Sequence, residues 1–152
     1  LNEKHSITYK IITHYWKDTG TPEDIINANK AILENLIPQF KGKKDSTIII
    51  DGNISVDDET CISNQVKING PVVIGKKCKI SGGAVIGPNA SIGNECIISG
   101  GIIRDSIIMN NCEIGKNVNV RNSIISSNSS IKENSIKNEQ VFLLGEGTKV
   151  LL

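Results

Sequence analysis

From residue 50 onward, the apolar positions of this chain follow a period that belongs neither to an α-helix nor to an ordinary strand. Ile50, Val56, Ile62, Ile68, Ile74, Ile80, Ile86, Ile92 and Ile98 stand six residues apart without exception. An amphipathic helix repeats every 3.6 residues and a strand every two, whereas a fixed longer period marks a repeat architecture. Six residues make one short side of a coil. Three such sides return the chain to a point above its start, so that Ile stacks on Ile at the parallel-strand spacing of about 4.8 Å. The fifth residue of each hexad is small or slim (Thr60, Val66, Val72, Cys78, Ala84, Ala90, Cys96) and is predicted to share the interior. Glycine follows the opening aliphatic at Gly75, Gly87, Gly93 and Gly115, where the backbone must turn a corner. After Ile98 the step shortens to five at Ile103 and Ile108, returns to six at Ile114 and Val120, and continues through Ile125 and Ile131. The pattern predicts a mainly β fold, a parallel β-helix of about four to five coils ending near Ile136. Each buried Ile contributes about 1.5–3 kcal/mol, so a chain with only 3% aromatic residues can still build a core.

The two ends read differently. Residues 7–16 (ITYKIITHYW) are rich in β-branched and aromatic types and predict a strand or hairpin arm. Thr21-Pro22-Glu23-Asp24 spells a helix start, with Thr21 as N-cap, Pro22 in the first helical position and Asp24 closing the cap. Ile25, Ala28, Ile32 and Leu36 form the predicted apolar face, and Pro38 ends the helix. Terminal coils of a solenoid need covering, and closing one end is the job assigned to this helix. The Lys41-Gly42-Lys43-Lys44-Asp45 stretch divides residues 1–46, a strand plus one helix, from a β-helix over 47–152. Residues 140–152 predict two short strands around Gly145-Glu146-Gly147, forming a second cap.

Composition removes several function classes. The net charge is +1, with charges interspersed and aromatics scarce, so neither the electrostatics nor the stacking platforms of a nucleic-acid binder are present. No apolar run approaches the length of a membrane span and no signal peptide is visible, which points to a cytoplasmic protein away from membranes. The chain starts at Leu1 rather than Met, and a piece of a longer protein is expected. Among the four cysteines, Cys78, Cys96 and Cys112 share the fifth hexad position and should stack inside as small hydrophobes. Cys61 and Cys78 lack the CxxC-type pairing of a zinc site. Sequons such as Asn53-Ile54-Ser55 are chance matches in an Asn- and Ser-rich surface.

One segment carries a family likeness. Trp16-Lys17-Asp18-Thr19-Gly20-Thr21-Pro22-Glu23-Asp24, followed by Ala28-Asn29, resembles the signature that closes the catalytic domain of sugar-1-phosphate nucleotidylyltransferases. The repeat and the closing Phe142-Leu143-Leu144-Gly145-Glu146 are similar to the long form of glucose-1-phosphate thymidylyltransferase. The resemblance implies a left-handed β-helix. It also implies a parent enzyme that joins a nucleoside triphosphate to a sugar 1-phosphate, releasing pyrophosphate with Mg²⁺. The family's second magnesium-binding aspartate falls on Asp18, a role that suits a hard cation needing oxygen ligands and bridging phosphates. The family's Gly-rich nucleotide loop has no counterpart in these residues, and the Gly82-Gly83 and Gly100-Gly101 pairs read as corners. Neither a catalytic residue nor a bound cofactor is therefore expected in this chain, and transfer by it alone is not expected.

Related hexapeptide domains are acetyl-CoA-dependent acetyltransferases that use a His base, whose pKa near 7 suits it to neutral pH. Here the histidines are His5 and His14, both upstream of the repeat, so amino-sugar 1-phosphate acetyl transfer stands as the alternative rather than the first reading. A three-His zinc site of the carbonic-anhydrase type is excluded on the same ground. The remaining role is assembly. A prism with flat faces packs against copies of itself, and closed symmetry is the usual outcome. The expectation is a homotrimer formed through the β-helix, with regulatory contacts to the parent.

Overall fold

The structure is a computed structural model that describes residues 8–13, 16–63, 65–132 and 139–152. Three parallel sheets of seven, seven and five short strands wrap one apolar axis in about six turns. The first face stacks Gln39–Phe40, Ile54–Val56, Val72–Ile74, Ala90–Ile92, Ile107–Ile108, Ile124–Ile125 and Leu143–Leu144. On the second face lie Lys43–Lys44, Cys61–Ile62, Lys79–Ile80, Ile97–Ile98, Glu113–Ile114, Ser130–Lys132 and Lys149–Leu151. The third carries Ile49–Asp51, Lys67–Asn69, Val85–Ile86, Ile102–Arg104 and Asn119–Arg121.

Register follows the sequence pattern. Val56 pairs with Ile74 and Ile74 with Ile92; Ile62 with Ile80 and Ile80 with Ile98; Ile68 with Ile86. All of these side chains are buried. Thr60, Val66, Val72, Cys78, Ala84, Ala90 and Cys96 are all fully enclosed, as the fifth position requires. The shortened steps after Ile98 keep the stack intact, because Ile103 still falls on Ile86, Ile108 on Ile92 and Ile114 on Ile98. The glycine pairs are corners: Gly82, Gly83 and Gly101 have φ of +66°, +68° and +79°, and a Cβ on Gly82 or Gly101 would strike the carbonyl of Ser99 or Val118.

Three expectations need correction. The coil is longer than its regular phase suggests, because Gln39–Phe40 and Lys43–Lys44 already pair onto Ser55–Val56 and Cys61–Ile62. At the far end, Leu143–Leu144 and Lys149–Leu151 are the two expected short strands. They lie on different faces and add another parallel rung above Ile124–Ile125 and Ser130–Lys132. No strand forms among the described residues 8–13 and 16, where all side chains are exposed. Ile7, His14 and Tyr15 lie outside the described residues.

The helix, α1 (Pro22–Glu34), starts as its sequence dictates: Thr21 is extended and its hydroxyl accepts from the Asp24 N–H at 3.2 Å. Its seat differs from the expected one. Ile26 and Leu33 are the buried side chains, with Ile25 38% and Ile32 71% exposed. The buried face is turned by one residue because α1 lies along the first face of the solenoid instead of across its end. At that end Phe40 is half-buried against the core, and the Lys44 ammonium sits 5.1 Å from its ring centre.

Candidate functional site

The site is built around the passage from the extended segment 16–20 into α1. All five residues of that segment are exposed. Lys17 Nζ meets Asp24 Oδ1 at 2.8 Å, while the Thr21 hydroxyl donates to Asp24 Oδ2 at 2.7 Å. The Lys17 ammonium and the Thr21 hydroxyl hold the Asp24 carboxyl below the usual carboxylate range. Asp18 stands between these two anchors. Its carboxylate leans toward Gly20, 3.9 Å from where a Cβ there would stand. Among the described residues no group of three or more His, Cys, Asp or Glu side chains gathers to hold a metal ion. Asp18 is thus a single exposed carboxylate in this segment. His5 and His14 lie outside the described residues.

The seat of α1 supplies residues that the sequence did not single out. The Ser91 hydroxyl, outward on the first face, donates to Asn29 Oδ1 at 2.6 Å. On the next coil Asp105 Oδ1 takes Lys30 Nζ at 2.8 Å and the Asn89 amide at 2.9 Å. Asp105 Oδ2 faces Arg121 Nε at 3.8 Å, and Arg121 and Arg104 both reach Glu139, at 3.4 and 3.7 Å. Burial raises the Asp105 carboxyl, but the hydrogen bonds from Lys30 and Asn89 and the charges of Lys30 and Arg121 outweigh it and hold the group below its ordinary range. The available signal was local. Asn89, Asp105 and Asn122 stack at one corner with φ of +58°, +46° and +45°, a conformation that short polar side chains tolerate best. Near its N-terminus α1 leaves an open groove of about 660 Å³, lined by Pro22, Ile26, Asn27, Asn122, Val141 and Leu143.

The cysteines are free thiols, Cys61 exposed and the other three buried. Cys78, Cys96 and Cys112 stack between Thr60 and Ser129 along the second corner. Each side chain of this column donates to a carbonyl of the following coil: Thr60 to Gly75, Cys78 to Gly93, Cys96 to Met109, Cys112 to Ser126 and Ser129 to Gly145. The Cys112 and Cys78 thiols beside it, together with burial, push the Cys96 thiol far above its usual range. These thiols are built as structural donors.

The fold defines a class: a parallel β-helix of six-residue repeats with an amphipathic helix strapped along one face. Residues 68–151 match the family described as the GMPPB C-terminal domain. The chain belongs to that family, the C-terminal part of sugar-1-phosphate nucleotidylyltransferases. It is 37% identical over 158 residues to the bifunctional protein GlmU of Methanococcus aeolicus, covering 89% of this chain and 38% of that protein. It is 32% identical over 151 residues to glucose-1-phosphate thymidylyltransferase of Streptomyces antibioticus, covering 92% and 39%. With the low-salt glycan biosynthesis nucleotidyltransferase Agl11 of Haloferax volcanii it shares 34% over 131 residues, covering 86% and 37%. The chain therefore spans less than two fifths of the length of these curated relatives.

Proposed function

We propose that the protein carrying this chain makes a nucleotide sugar: it condenses dTTP with glucose 1-phosphate, releases pyrophosphate, and uses its β-helix to assemble as a cytoplasmic homotrimer. The observation that carries the reading is the similarity to a glucose-1-phosphate thymidylyltransferase along 92% of this chain, together with the Trp16–Asp24 segment. Asp18 would be the residue of this chain that holds magnesium, which would supply charge neutralisation at the phosphates. Asp18 offers it one carboxylate, and Thr21 and Lys17 hold the flanks of that carboxylate to α1. The triphosphate and the sugar 1-phosphate are bound by residues outside this chain.

Self-association is assigned to the third face. The first face carries α1, and the second presents Lys43, Cys61, Lys79, Ile97, Glu113, Ser130 and Lys149 in its outward column. The third stacks Ile49, Lys67, Val85, Ile102 and Asn119 in one outward column that holds a single charge. Three such flat faces around a threefold axis bury that column without leaving an open edge.

The test is pyrophosphate release by the intact protein with glucose 1-phosphate, Mg²⁺ and each nucleoside triphosphate in turn. Release with dTTP above the others is expected, and silence with all of them overturns the reading. A second reading, acetyl-CoA-dependent acetyl transfer to an amino-sugar 1-phosphate, is favoured by the bifunctional relative at 37% identity. It has to find a base other than histidine, which is absent from residues 15–152. Thiol release from acetyl-CoA would establish it.

A further inference from the structure

We infer that the groove at the start of α1 is the docking surface on which the nucleotidyl-transfer domain of the same protein rests. This depends on the functional reading above, which supplies that domain. The groove, about 660 Å³, is lined by Pro22 and Ile26 from α1 and by Val141 and Leu143 from the solenoid, with the polar Asn27 and Asn122 beside them. Val141 is 65% and Leu143 57% exposed. On the approach to α1, Tyr9, Ile11, Ile12 and Trp16 are exposed as well. Large apolar side chains gathered in this way mark an interaction surface, whereas single ones scattered over a protein do not.

The occupant is set by how much of the molecule lies elsewhere and by how closely it is tethered. The chain spans less than two fifths of the length of its curated relatives, and the family it matches is a C-terminal domain. Residues 8–13 have the β-branched and aromatic run of a strand yet form none here. A strand needs partners for its N–H and C=O groups, and the transfer domain is where this segment finds them. The tether from that segment to α1 is short. Between Trp16 and Thr21 the chain reaches at most about 18 Å, and the Lys17–Asp24 ion pair at 2.8 Å folds it onto the first turn of the helix. A domain of about 100 residues already has a radius of gyration of about 13 Å. On so short a tether it stands against the first turn of α1 and the rung beside it, at an effective concentration on the order of mM. A small apolar groove is then enough to hold it.

The test uses the intact protein carrying Val141→Cys and, in parallel, Ile97→Cys, at an exposed position of the second face. Labelling by N-ethylmaleimide is read peptide by peptide, which separates the introduced thiol from the exposed native Cys61. The thiol of Val141→Cys should react about 10-fold more slowly than that of Ile97→Cys, at every protein concentration. Adding Leu143→Lys to Val141→Cys should restore the fast rate, because a charge in the groove opposes apolar docking. Equal rates in the two single variants show an open groove and overturn the inference. Slow labelling that turns fast on dilution gives the groove to a second copy and overturns it as well. Should Val141→Cys fail to fold, hydroxyl-radical footprinting of the unmodified protein, Leu143 against Ile97, gives the same comparison without a substitution. If the protein releases no pyrophosphate, the transfer reading falls, but labelling does not depend on turnover. Slow labelling then retains a domain on the groove, and fast labelling removes it.

Discussion

Inside the coil each residue meets its counterparts one turn above and one turn below, and this makes single positions severe in what they accept. Ile80 and Ile92 are 1% and 2% exposed with Ile74, Ile62 and Ile98 around them, so Ile80→Asp or Ile92→Asp places a charge where nothing solvates it. Either change is expected to abolish the cooperative melt followed by circular dichroism, while Ile86→Val costs about 0.5–1.5 kcal/mol. A cooperative melt in both aspartate variants would refute the register. These inward aliphatics were legible in the sequence because a fixed period leaves only one set of residues to bury. The donor role of the fifth position was not legible, since a list of Thr, Cys and Ala reads as small size alone. Only the coil shows that Cys96 Sγ lies 3.0 Å from the Met109 carbonyl. Cys96→Thr and Cys96→Val add side chains of one shape, and only threonine can still donate. The valine variant should therefore unfold at lower urea, by the equivalent of about 1 kcal/mol.

At the scale of elements, α1 shows what a sequence marks and what it leaves open. Thr21 and Pro22 mark its start, and its last helical residue, Glu34, lies shortly before Pro38. Its seat was hidden, because an end cap and a side strap ask for the same amphipathic pattern. The choice between Ile25 and Ile26 as the buried residue turns on Ser91 and Asp105, far away in the chain. Thr21→Val removes the cap and should cost about 1 kcal/mol, read as a lower denaturation midpoint with faster exchange in the first turn of α1. The strap also has a pH signature. Asp24 and Asp105 both ionise below their ordinary range in the folded chain, so their contribution is complete above about pH 4, the unfolded value. It is lost as pH falls through the depressed folded values. Between pH 6 and pH 3 the wild-type urea midpoint should drop further than that of Asp105→Asn, which has no such carboxyl to protonate. Equal drops would show that the Lys30 pair contributes nothing to folding.

The whole molecule is a prism with α1 strapped to one face, and the proposed assembly can be probed on the third. Ile49→Lys combined with Ile102→Lys puts two charges into the outward column of the third face without touching the interior. Light scattering should report a fall from trimer to monomer with an unchanged circular dichroism spectrum; a trimer that survives would move the interface elsewhere. Asp18→Asn should leave the mass unchanged and depress turnover at low Mg²⁺. The strap also bears on how the molecule is made. In a solenoid each coil touches only its neighbours, so folding can advance rung by rung behind the ribosome. The start of α1, however, rests beside Val141 and Leu143, in a rung that is synthesised long after it. The helix precedes the solenoid, and its start at Ile26 must wait for almost the entire β-helix to follow. During that interval the apolar start of α1 is available to chaperones and to neighbouring nascent chains, and a ribosome stalled before residue 141 would release a chain in which α1 has an incomplete seat.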